Sequence, residues 1–337
     1  MFLKSLKYIT SLIFAFGIIF LLFENQDPLK LIEEVKKVDV KWVILSMIFG
    51  GWALISRGLR WIVLIDAIGY KSSKQNAVVS VAILYFTNLF IPRGGEITRC
   101  TSLNRTEKIP INKLFGTILV ERVIDFVFLF GLMFLILIIK FNDIINFYMA
   151  IQSQQSENNN DKNIILIVAI ISTLVLTFLF IKRWLKKSSF YTKTLNFIEG
   201  IKEGFKSIKT MKKKSTFWLH TFSIWIMYFL MTYICFFSMN ETSNLGIGDG
   251  IFLLVLGGIG MVIPTPGGIG SYHAIVMIGL SVLGIGTISF GANGDTSNPA
   301  LLFPTIIHAG QTLMAIIMGL IGLLILFLSK KKKNVLS

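Results

Sequence analysis

Apolar runs long enough to cross a bilayer recur along the whole chain, and no other feature restricts the fold as strongly. A spanning helix needs about 20 mostly apolar residues. In lipid, every backbone polar group must find a partner inside the protein. The runs here cover 8–23, 42–66, 77–91, 113–141, 163–181, 217–239, 251–263, 269–290 and 300–328, separated by short polar stretches. The expected fold is therefore all-α, a polytopic transmembrane bundle of about eight membrane segments. Hydrophobic residues make up 54% of the 337 residues and charged residues 15%. A soluble domain carries roughly 25% charged residues, so the whole of 1–337, with its core at 5–328, is expected to be one integral membrane domain.

The charge pattern separates the remaining classes. A formal charge of +15 taken alone would fit nucleic acid as a partner, but the Lys and Arg residues cluster at the ends of the apolar runs, so no nucleic acid is expected. Cys100 and Cys235 are lone residues without CxxC or zinc spacing, so neither a disulfide framework, a metal site nor a cofactor is expected. Lys4 and Lys7 precede the first apolar run without a small-residue cleavage site, which reads as a retained first helix and not a signal peptide.

Sidedness follows from the bases, because cytoplasmic loops collect Lys and Arg. Residues 182–214 carry eleven Lys/Arg against Glu199 and Glu203, and Lys330 to Lys333 make the tail 330–337 basic. Both termini and 182–214 are thus expected inside. The stretches 24–41, 142–162 and 240–250 are poor in net positive charge and expected outside. Within 190–214, Phe190, Phe197, Ile201, Phe205 and Ile208 recur at helical spacing among lysines, an amphipathic pattern suited to an anionic inner leaflet. A topology-fixing basic loop accounts for the same residues.

Two runs are too short for a full span. The run 77–91 ends at Pro92 between loops expected in the cytoplasm, and so reads as re-entrant; 251–263 ends at Pro264. It is expected either to re-enter through 269–290 or to precede it, since 269–290 is long enough to span alone. The breaks resemble each other: Ile91-Pro92-Arg93-Gly94-Gly95-Glu96 and Ile263-Pro264-Thr265-Pro266-Gly267-Gly268-Ile269-Gly270. Broken helices in corresponding halves of a membrane protein point to a transporter site made from inverted repeats. Two Pro/Gly loops at the membrane surface are the plainer reading.

Ionisable residues inside apolar runs carry the chemistry, since each costs about 2.5–3.5 kcal/mol at a helix centre on insertion scales. Arg57 and Arg60 lie one turn apart on one face; they either pair in the interior or snorkel to the interface beside Trp61. Glu121, Arg122 and Asp125 sit roughly 12–18 Å along their run, counted at 1.5 Å per residue. An ion-pair network, Arg57 with Glu121 or Asp125, is one reading of them. Arg93, Glu96 and Arg99 flank the first break. Five arginines against three carboxylates leave a surplus of two positive charges, which suits an anionic group, and arginine matches phosphate oxygens through its planar fork. Helices starting just after the glycines would add N–H donors. Tyr272 and His273 follow the second break, with His308 and Gln311 further along.

The Arg57-Gly58-Leu59-Arg60-Trp61 stretch, Pro92-Arg93-Gly94-Gly95-Glu96 with Arg99, Glu121-Arg122 with Asp125, and Pro264-Thr265-Pro266-Gly267-Gly268-Ile269-Gly270 together resemble the lysylphosphatidylglycerol synthase transmembrane-region (flippase-like) family of bacterial and archaeal membrane proteins. The resemblance implies a bundle of about eight helices in the bacterial cytoplasmic membrane and a role in moving lipids or lipid-linked intermediates between leaflets. Many relatives carry Glu where this chain has His273. The chain ends at Ser337, without the soluble aminoacyl-transferase domain of the full synthases, so lysylphosphatidylglycerol synthesis is not expected.

The expected function is a flippase-like transporter of an anionic phospholipid or a phosphate-bearing lipid carrier, with membrane lipids as partners and no catalytic motif. Glu96, Glu121, Asp125 and His273 are candidate proton carriers, because no nucleotide motif is present. Two alternatives stand beside it: an intramembrane lipid-modifying transferase using Glu121 and Asp125 as acids, and a non-catalytic partner of a cell-envelope enzyme.

Overall fold

A computed structural model describes residues 2–24, 26–154, 211–288 and 298–336. Its regular structure among these residues is all helical. The helices are α1 Phe2–Phe23, α2 Pro28–Lys37, α3 Val40–Ala67, α4 Lys74–Phe90, α5 Gly95–Glu107, α6 Ile111–Ile139, α7 Phe141–Gln154, α8 Lys214–Tyr233, α9 Ile247–Val262, α10 Ser271–Val282 and α11 Pro299–Leu336. Residues 1–140 with 211–337 make one compact unit and 141–210 a second, in which α7 is the described element. The apolar run 163–181 and the basic stretch 182–210 lie outside the described residues.

Four described helices are long and apolar enough to cross a bilayer: α3, α6, α8 extended to Ser238, and α11 as far as Ser329. A fifth candidate is the bent pair of α1, from Leu12, with α2, which meet at 86° and qualify only together. The protein is thus a polytopic helical membrane protein. Each of the eight apolar runs within the described residues contributes a helix. The polar stretch from 142 begins as helix α7. One expectation needs correction. The run 269–290 does not supply a spanning helix, because α10 has only 12 residues. At about 1.5 Å per residue it reaches little more than half of a hydrocarbon core of about 30 Å. Its end is set by the backbone: Ile285 N–H reaches back to the Leu280 carbonyl as Gly284 turns left-handed (φ 78°), a Schellman-type stop.

The short helices pair instead. In the first hairpin, α4 and α5 run antiparallel, joined rung by rung. Gly95 N–H donates to Asn88 Oδ1 (2.8 Å), Thr98 Oγ1 to Thr87 Oγ1 (3.1 Å), Ser80 Oγ to Ser102 Oγ (3.3 Å) and Asn76 Nδ2 to Glu107 Oε1 (2.7 Å). Residue 95 must be glycine for this closeness, since a Cβ there would stand 2.3 Å from the Leu84 carbonyl oxygen. In the second hairpin, α9 and α10 pack antiparallel, with Gly257 and Gly260 both against Tyr272 and Gly279 against Leu253 and Leu256. Pro266–Gly268 forms its tip as a 3₁₀ turn, with Gly267, Gly268 and Gly270 all at positive φ. Spans α3 and α8 stand side by side, tied by Ser46 Oγ donating to the Met231 carbonyl (2.8 Å) and by the Ser56–Ser223 hydroxyl pair.

Candidate functional site

The first hairpin delivers its polar residues against α3 and α6, where one charge network forms. Its innermost pair is Arg99 with Glu121: Nη1 donates to Oε2 at 2.6 Å and Nη2 to Oε1 at 3.2 Å, and both side chains are fully buried. The Arg99 guanidinium lies 3.8 Å from the centre of the Trp61 ring, a cation–π contact in a desolvated setting. Trp61 Nε1 in turn donates to Thr117 Oγ1 at 2.8 Å.

One turn further along α6, Asp125 gathers three arginines. Arg57 Nη2 donates to its Oδ2, Arg60 Nη1 lies 2.9 Å from Oδ1, and Arg122 Nη1 lies 3.8 Å from Oδ2. Arg60 Nε also stands 3.8 Å from Glu121 Oε1, so Arg60 bridges both carboxylates. Arg60 is fully buried and does not snorkel. The outermost pair is Arg122 Nη2 with Glu96 Oε1 at 2.6 Å. Arg57 Nη1 donates to the Tyr85 hydroxyl (2.8 Å), which pairs with that of Tyr228 (2.9 Å).

These contacts place Arg57, Arg60, Arg99, Arg122, Glu96, Glu121 and Asp125 together as the spacing along the runs suggests. The guanidiniums close on the carboxylates. Arg93 is not among them, so the network holds four arginines against three carboxylates, a surplus of one positive charge instead of two. Buried N–H groups remain without a protein hydrogen bond among the described residues, including Arg57 Nε, Arg60 Nη2 and Arg99 Nε. Guanidinium protons in such a place attract acceptors. A cavity of about 220 Å³ lies elsewhere, between Glu34–Asp39 and Phe237–Glu241, and is lined by none of these groups.

Arg93 occupies the tip of the first hairpin with a left-handed backbone (φ 59°), a conformation that costs a non-glycine residue about 1–2 kcal/mol. Its Nη2 donates to the Val262 carbonyl at 2.8 Å. That carbonyl ends α9, where a helix offers unpaired acceptors and a negative dipole end. Gly267 of the second tip rests against Leu89 of the first hairpin. The two Pro/Gly breaks therefore meet each other. Helices α5 and α10 do start just after the glycines, at Gly95 and Ser271, but the Gly95 N–H is already taken by Asn88.

Around the second tip, His308 Nε2 lies 2.8 Å from the Gly267 carbonyl. A carbonyl only accepts, so that nitrogen carries the proton. The His273 ring stands 4.8 Å from His308 and the Tyr272 ring 5.3 Å from it, centre to centre. Thr265 and Ser271 share a hydroxyl contact of 2.8 Å beneath Pro266 and Gly268, all four buried. Pro264 lies at the exposed rim.

Sequence reasoning missed Tyr85 and Tyr228. Tyr85 lies on α4 seven residues before Pro92, so a search for hydroxyls two turns from a break would have found it. Tyr228 has no such signal, since it is one aromatic among many in its run.

Comparison with known proteins agrees with the architecture. The chain is 25% identical over 294 residues to the UPF0104 membrane protein MJ1595 of Methanocaldococcus jannaschii, covering 84% of this chain and 87% of that one. No solved structure matches the chain significantly. Residues 8–292 match the family described as the lysylphosphatidylglycerol synthase TM region, and with most of its length inside that match the chain belongs to this family.

Proposed function

We propose that the protein moves an anionic lipid, or a lipid-linked intermediate bearing phosphate, between the leaflets of the cytoplasmic membrane. The headgroup would follow the arginine network where the hairpins meet, while the acyl chains stay in the bilayer. One observation carries this reading: four arginines outnumber three carboxylates in one network among spanning helices. Such a concentration of charge at membrane depth is expensive and is characteristic of a substrate path. Two proline-broken hairpins meeting tip to tip add the backbone pattern of a transport site. The name of the family, taken from the membrane region of a synthase of a phosphate-bearing lipid, supports a lipid as cargo. The transferase reading is weaker. Glu121 and Asp125 are each held by guanidinium donors, which suits charge balance better than proton transfer to a substrate.

The test is reconstitution into liposomes containing fluorescent phosphatidylglycerol, with a membrane-impermeant quencher reporting the outer leaflet. The protein should speed exchange of the labelled lipid, and Arg57→Gln with Arg60→Gln should abolish that gain in protein that still elutes as a folded species. Exchange no faster than in empty liposomes, for this lipid and for a polyprenyl phosphate, would overturn the proposal.

A further inference from the structure

Helix α6 turns one stripe of side chains outward: Phe115, Leu119, Phe126 and Phe130 are exposed, and Arg122 on the same stripe is partly so. Ile97 of α5 is exposed beside Glu96. A stripe of Phe and Leu on a spanning helix faces hydrocarbon, and Arg122 is its one charged member. Arg122 stands eleven residues into the 29-residue helix, roughly 16 Å along it and close to the middle of a hydrocarbon core of about 30 Å. From there an arginine reaches the interface poorly. Its side chain is nevertheless 41% exposed, and that of Glu96, its partner at 2.6 Å, is 24% exposed.

This pair differs from the others in the network. Arg99–Glu121 is two-pronged, fully buried and backed by Trp61. Arg122–Glu96 is held through one nitrogen and one oxygen at the lipid-facing edge. Glu96 Oε2 and Arg122 Nε, both shielded, have no hydrogen-bond partner among the described residues. Directly behind the pair is Asp125 with Arg57 and Arg60. The ion pair therefore stands between the bilayer and the inner guanidiniums.

We infer that Arg122–Glu96 is a lateral door for a phosphate group carried by a membrane lipid. This rests on the anionic-cargo reading above and adds the entry point and the residue displaced. The phosphate oxygens replace the Glu96 carboxylate on the Arg122 fork, a bidentate match that a phosphate makes well. Glu96 then competes with the cargo, so removing its charge should strengthen binding. A site in which Glu96 merely helped to assemble the network would show the reverse.

The experiment is native mass spectrometry of the full-length protein in non-ionic detergent, titrated with dioleoyl phosphatidylglycerol, the matching phosphatidylcholine, or inorganic phosphate. Wild type should prefer phosphatidylglycerol. Glu96→Gln should bind it about tenfold more tightly and Arg122→Gln about tenfold more weakly, one charge-assisted contact each way. If Arg122→Gln does not fold, Arg122→Lys, which keeps the charge and loses the fork, should still weaken binding. Equal preference for phosphatidylglycerol in wild type and both variants would overturn the door and leave the anionic-cargo reading standing. Inorganic phosphate competing as well as phosphatidylglycerol would overturn the lipid as the source. Wild type with no preference for either anion would sink the cargo reading and the door together.

Discussion

Arg99 and Glu121 meet through two hydrogen bonds, at 2.6 and 3.2 Å, with neither side chain exposed to any solvent. Removing one partner leaves the other charged and buried, a loss of about 3–5 kcal/mol, whereas replacing both by apolar residues of similar volume is often close to neutral. Arg99→Met and Glu121→Met should each lower stability by that amount, and Arg99→Met/Glu121→Met should recover much of it. Reversible unfolding in mixed micelles would measure all three. Additive losses in the double variant would mean the pair is not the unit holding α5 to α6.

Trp61 is fully buried and supports the same pair from below, with its ring under Arg99 and its N–H on Thr117. Trp61→Phe keeps an aromatic face and loses the donor, which should cost about 1 kcal/mol. Trp61→Ala opens a void as well and should cost about 3–5 kcal/mol. Equal melting temperatures for the two variants would show that the indole face contributes nothing.

Much of this was legible in the sequence, because burial in lipid makes each ionisable residue conspicuous. Arg57, Glu121 and Asp125 stood out within apolar runs, and the pairing of Arg57 with Asp125 was among the expected contacts. The Pro92 and Pro264 breaks announced that 77–91 and 251–263 could not run through as straight spans. What did not show was partnership across the chain. Arg99 lies beside Arg93 in sequence, yet one enters the network and the other caps α9 at Val262, since the left-handed turn at Arg93 sends it away. The length of α10 was also hidden: 269–290 is apolar enough overall to read as one span, but Gly284 ends the helix by backbone conformation, which hydropathy does not register.

Gly95 sets how closely α4 and α5 approach. A methyl group there would stand 2.3 Å from the Leu84 carbonyl oxygen and 2.7 Å from Asn88 Oδ1. Gly95→Ala must push the helices apart and break the Asn88 bond to its N–H, so amide hydrogen exchange at residues 95–98 should rise at least tenfold, about 1.4 kcal/mol of local opening. Exchange unchanged at these amides would mean the hairpin has room that the packing does not show.

The open end of the first hairpin depends on pH through Glu107, which lies beyond the spanning helices. Its Oε1 accepts from the Ser73 N–H (3.0 Å) and from Asn76 Nδ2 (2.7 Å), tying the end of α5 to the first turn of α4. Partial burial by itself raises the carboxyl pKa, but the bonds from Ser73 and Asn76 outweigh it and hold the value below the ordinary glutamate range. A depressed native pKa means the stabilisation is present above the unfolded value, about 4.3. It is lost as pH falls through the native value. Glu107→Gln cannot titrate, so at pH 7 it should melt below wild type, and the gap should narrow progressively as pH is lowered below the unfolded value. A gap that stays the same in acid would show that the ionised carboxylate contributes nothing at this position.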